Sequence, residues 1–104
     1  MNLLIKESGG ILVRVFEAIN GFKSKHGFWP SEIVINSETL DVLKNVCFTK
    51  DGFQKFSGFL KITPTQEVVI ITNGPNNSSF DYGSEGWQYS RPEMTVEELL
   101  GMIA

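Results

Sequence analysis

Apolar positions near the start of the chain return every third or fourth residue. Leu12, Val15, Phe16, Ile19 and Phe22 follow that spacing, while Arg14, Glu17, Lys23 and Lys25 fall mostly between them. A period near 3.6 residues gathers the apolar set into one stripe, which predicts a helix from about Ser8 to Lys25. Ser8 is the expected N-cap and His26-Gly27 the expected stop, with cations where the helix dipole favours them. Gly9, Gly10 and Gly21 are poor helix formers and predict a soft first turn and a soft last one.

The period then changes to two. Pro30 turns the chain away from helix, and Glu32 to Asn36 reads as a short strand with Ile33 and Ile35 on one face and Val34 on the other. Apolar residues on both faces predict a central or well-covered strand. Asn36 or Ser37 caps a second helix reaching about Val46, with Leu40, Leu43 and Cys47 along one side. In "FTKDGFQKFSGF", Asp51-Gly52 is a turn signal, and a loop or short helical turn is expected. Phe59 to Thr63 and Glu67 to Asn73 are the strongest strand pair. They read as an antiparallel hairpin turning through Thr63-Pro64-Thr65-Gln66.

"NGPNNSS" is loop-like, and its overlapping N-x-S triplets at Asn76 and Asn77 read as polar loop residues. Phe80 to Tyr82 and Trp87 to Tyr89, joined by Gly83-Ser84-Glu85-Gly86, read as a second hairpin. In that pairing Tyr82 opposes Trp87 and Phe80 opposes Tyr89, so all four rings share one face and Asp81 and Gln88 the other. Arg91 lies close enough in sequence to stack on Trp87 or Tyr89. Thr95 and Glu98 form a capping box, with Met94 and Leu99 as its hydrophobic staple and Val96, Leu99, Leu100 and Ile103 as the apolar face of a last helix. The order α-β-α-β-β-β-β-α predicts an α+β two-layer sandwich. Its sheet would be mixed or antiparallel, of about four to five strands, with helices mainly on one face.

The 104 residues, 41% hydrophobic and 20% charged, fit a single ordered domain spanning 1–104 with one modest core. A net charge of −3 weighs against nucleic acid and against an anionic membrane as partner. The single Cys47 excludes a disulfide within the chain and suits a reducing compartment. "MNLLIKESGG" lacks the pattern of a secretory signal, and no apolar run approaches the roughly 20 residues that span a bilayer. A cytoplasmic protein is expected.

Candidate chemistry is thin. One His and one Cys do not make a standard zinc site, and no acidic run has calcium-loop spacing, so neither metal nor cofactor is expected. Cys47 with His26 as base is a conceivable nucleophile pair, set against a small core thiol and a helix-end histidine. "SGG" before the first helix lacks any phosphate-loop spacing. Lys44, Lys50, Lys55 and Lys61 among Phe48, Phe53, Phe56 and Phe59 could serve single-stranded nucleic acid. Those rings also read as core with lysines as solvated neighbours. Asp81 and Glu85 are too ordinary a pair of acids to imply acid–base work.

The reading that follows is a small non-enzymatic interaction or self-associating domain, partnered by a second copy or another protein. Tyr82, Trp87, Tyr89, Arg91, Leu99 and Leu100 are its candidate contact residues, since Trp, Tyr and Arg lead interface hot spots. A second expectation is a small-ligand site or minor enzyme between the aromatic hairpin 80–91 and the first helix, using Trp87, Tyr82, Asp81 and His26. A third is oligonucleotide binding through residues 44–61.

Overall fold

The computed structural model describes residues 4–7 and 9–102. The expected cap Ser8 and the expected helix residue Ile103 lie outside them. Helix α1 runs Gly10–His26 and buries the predicted stripe, Leu12 to Phe22. It ends as its last residues predict: Gly27 adopts φ 83°, a conformation cheap only for glycine, and its N–H donates to the Lys23 carbonyl.

Strand β1 is Glu32–Asn36, with Ile33 and Ile35 fully buried. Helix α2, Ser37–Val42, continues as a π-helical turn, Leu43–Cys47. The Asn36 side chain caps α2 by accepting from the Glu38 and Thr39 N–H groups. The next segment is a full helix, α3, Lys50–Phe59, rather than a loop. Thr49 caps it by accepting from the Gly52 N–H, and Phe53 and Phe56 lie one turn apart, both against Phe48. Gly52 serves packing and not a turn: any Cβ there would land on the Leu4 carbonyl.

Three further strands follow: β2, Lys61–Thr65, β3, Ile70–Asn73, and β4, Ser79–Asp81. Two short helices close the chain: α4, Tyr82–Glu85, and α5, Val96–Leu99. The sheet is mixed and four-stranded, in the order β2-β1-β3-β4. Strand β1 is central, parallel to β2 and antiparallel to β3, and β3 is antiparallel to β4.

The expected hairpin of 59–63 with 67–73 does not form, because β1 lies between its two strands. Residues 66–69 cross the end of β1 instead. Two strand spacings are about 9.6 Å, within reach of four extended residues. Asn36 pins the crossing: its Nδ2 donates to the Gln66 and Glu67 carbonyls at 3.2 and 3.0 Å, and its N–H donates to the Val69 carbonyl. Pro64 stands inside β2 rather than in a turn. It is tolerated there because β2 is an edge strand, where a missing N–H goes unnoticed.

Register puts Ile33, Ile62, Thr72 and Phe80 on one face. Helix α1 packs there, against β3 and β4, and the core gathers side chains from α1, β1, the π turn, α3 and α5. The opposite face is largely polar. Glu32 accepts from the Thr63 hydroxyl and the Asn73 amide across three strands, at 2.6 and 3.1 Å, and these two hydrogen bonds hold its carboxyl below the usual range.

Candidate interaction surface and cleft

The second expected hairpin is also absent. β4 runs directly into α4, because "DYGSE" holds the caps of a helical turn. The Asp81 carboxylate accepts from the Gly83 N–H at 3.0 Å. Glu85 reaches back, accepting from the Asp81 N–H at 2.9 Å while pairing with Lys25 of α1 at 2.5 Å. The Lys25 contact, followed by the Asp81 N–H, pulls the Glu85 carboxyl below its ordinary pKa.

With no hairpin, the four rings do not share a face. Phe80 is 1% exposed and lies on the core side of the sheet. Gly21 of α1 faces it with no room for a Cβ, so the residue that weakens the helix pattern makes space for this ring. Tyr89 is half-buried and meets Phe80 edge-on, centroids 5.7 Å apart. Tyr82 is half-buried, and its hydroxyl donates to Glu17 at 2.8 Å. Burial first, then Glu17 as acceptor and charge, raise the pKa of that phenol. Trp87 is 82% exposed.

Arg91 stacks on neither Trp87 nor Tyr89 among the described contacts; its guanidinium pairs with Glu97 at 2.7 Å. Leu99 is 40% exposed, but Leu100 is 7% exposed and belongs to the core, so it is removed from the contact surface. The capping box of Thr95 and Glu98 is present. Beneath this segment sits Asn20 of α1, 2% exposed. Its Oδ1 accepts from the Val96 N–H at 2.7 Å and its Nδ2 donates to Glu97 at 2.8 Å. A polar residue inside an apolar stripe was the sequence signal for this clamp.

A cleft of about 540 Å³ opens between α1, the β1–α2 junction, the start of β3 and α4. Ile11, Val68, Val69 and Ile70 supply apolar wall, and Arg14, Thr39, Asp81 and Tyr82 supply polar groups. The structure therefore joins Asp81 and Tyr82 to the first helix, as expected, but neither Trp87 nor His26 lines this space. No family model matches the chain, and no curated protein or solved structure matches it.

His26 sits at the far end of α1, between Phe22 and Phe28, and its Nε2–H donates to the Ser79 carbonyl at 3.0 Å. Cys47 is buried, with its thiol against the backbone of Leu12. Leu12 and His26 lie roughly 21 Å apart along the helix at 1.5 Å per residue, so the two do not form a nucleophile pair. Burial, with the Glu7 charge second, pushes the Cys47 thiol up and away from the reactive thiolate. In the 44–61 segment Phe48 and Phe56 are buried, and Phe53 and Phe59 are half-buried against the core, with the Lys44 ammonium over the Phe53 ring. Among the described residues no group of three or more His, Cys, Asp or Glu could hold a metal ion, and no helix is long and apolar enough to cross a membrane.

Proposed function

We propose that this domain is a small interaction module that self-associates through a surface centred on Trp87, in a reducing, cytoplasmic setting. The observation that carries the reading is Trp87 itself, 82% exposed. Among the described ring and cation contacts none involves it. The other tryptophan, Trp29, is half-buried, meets Phe59 edge-on and lies under Lys23. A large ring left in water forgoes roughly 4 kcal/mol of burial, at 25 cal/mol per Å² over about 160 Å².

Met94 and Leu99, from the same C-terminal segment, are also exposed, and Arg91 adds a solvent-facing guanidinium. Trp and Arg lead interface hot spots, and here both are exposed within one stretch of chain, residues 87–99. Closed two-fold dimers are the commonest assembly of identical chains, and they need a single self-complementary patch. The unpaired, buried Cys47 suits a compartment where disulfides do not form. Sedimentation of the wild-type protein and of Trp87→Ala over a wide concentration range tests the proposal.

A further inference from the structure

We infer that the cleft beside Arg14 binds a small apolar carboxylate, with the Arg14 guanidinium as anchor for its charged end. The inference is independent of self-association, since Trp87 does not line this space. The volume of about 540 Å³ falls within the usual span of small-molecule sites. Such sites combine a mainly apolar wall with few polar groups that fix orientation. Ile11 of α1 and the run Val68, Val69 and Ile70 form that wall here. Val68 is 92% exposed at the rim, where an apolar ligand would cover it.

The polar groups divide into those already engaged and those free to bind. Asn36 is engaged: its amide caps α2 and holds the 66–69 crossing. The Tyr82 hydroxyl is committed to Glu17, and Asp81 caps α4. Arg14 differs. Among the described residues it makes neither an ion pair nor a side-chain hydrogen bond, and the ion pairs present belong to Lys25 and Arg91. Arg14 lines the cleft, and its Nη2 lies 4.0 Å from where a Cβ on Gly10 would sit, one turn earlier on α1 and next to Ile11.

A guanidinium offers a planar fork of N–H donors that matches a carboxylate on two bonds, and it stays charged at every working pH. The acids Asp81 and Glu17 stand on the α4 side and one turn farther along α1, where they disfavour an anion, and Arg14 is the cation among the described residues that line the cleft. Orientation follows from this. The carboxylate sits at Arg14, and the apolar body lies over Ile11 and Val68 to Ile70.

Octanoate and 1-octanol share one apolar body and differ in the charged end. Titrating each into the ¹⁵N-labelled domain, with amide shifts as readout, separates the contribution of Arg14 from that of the wall. Octanoate should saturate with shifts confined to residues 11–14, 68–70 and 81–84, and bind about tenfold or more tighter than octanol. Arg14→Gln should bring the two to equal affinity, leaving octanol unchanged. Lys61→Gln, which removes a cation outside the cleft, should leave octanoate binding unchanged. The inference is overturned by octanol binding as well as octanoate, by shifts that scatter outside the cleft or do not saturate, or by Lys61→Gln weakening octanoate as much as Arg14→Gln does.

Discussion

Asn20→Ala removes the side chain that holds the C-terminal segment onto α1. Two hydrogen bonds go at once. The Val96 N–H loses its acceptor at 2.7 Å while Val96 itself is fully buried. An orphaned buried donor costs about 1–3 kcal/mol. The second bond, from Nδ2 to Glu97 at 2.8 Å, ends on a carboxylate that keeps Arg91 as a partner. Its loss adds about 0.5–1.5 kcal/mol, the net worth of an ordinary hydrogen bond. Together the change should cost roughly 2–4 kcal/mol, a large share of the 5–15 kcal/mol that a domain holds. Urea unfolding followed by circular dichroism checks it. With a slope near 1.5 kcal/mol per M, the midpoint should fall by roughly 1–3 M. Asn20→Asp keeps the acceptor for Val96 but sets a charge against Glu97, so it too should destabilise. A midpoint shift in Asn20→Ala worth less than about 0.5 kcal/mol, the range of an ordinary surface substitution, would refute the clamp.

Asn36→Ala should cost about 2–3 kcal/mol in the same assay, because it removes the α2 cap and both side-chain bonds to the 66–69 crossing. Ser37→Ala, which loses one bond to the Thr65 carbonyl at 3.3 Å, should cost no more than about 1 kcal/mol and serves as the comparison. Acid should weaken the fold through Glu85 and Glu32, whose carboxyls titrate below the ordinary 4.5 in the folded chain. A depressed folded pKa gives stability that is present above the ordinary value and lost as pH falls through the folded one. The melting temperature should therefore drop below about pH 4.5, and Glu85→Gln should make that drop shallower while lowering stability near neutrality by up to about 1 kcal/mol. An equally steep acid limb in Glu85→Gln would show that the Lys25 pair contributes nothing to it.

Elements whose pattern is local were legible in the sequence. The α1 stripe, the Gly27 stop, the bounds of β1 and the capping box at Thr95 each rest on residues within a turn or two of one another. The strand pairings were not legible. A short polar link such as 66–69 suits a hairpin and a crossing equally well. What decides is Asn36, thirty residues away in the chain, whose amide reads as a helix cap and also holds the crossing. "DYGSEG" likewise has the composition of a hairpin loop and the caps of a helical turn. Two glycines hid α3, and the reason for Gly52 is the backbone of Leu4, invisible to any local pattern. Of the candidate contact residues, Trp87 and Leu99 are exposed and Leu100 is buried; adjacent apolar residues on a short helix cannot be assigned sides before the helix is docked. Arg14 carried no signal, since one cation on the polar side of a helix is ordinary.

Sedimentation velocity at neutral pH, from about 1 μM to 1 mM, tests self-association through Trp87 most directly. The wild-type chain should move from the 11.6 kDa monomer toward twice that mass as concentration rises. Trp87→Ala, which leaves the core untouched and should keep the wild-type melting temperature, should need at least about 30-fold more protein to associate, the loss expected of a hot-spot residue worth 2 kcal/mol. A wild-type protein that stays monomeric throughout, or a Trp87→Ala variant that associates as well as wild type, would contradict it.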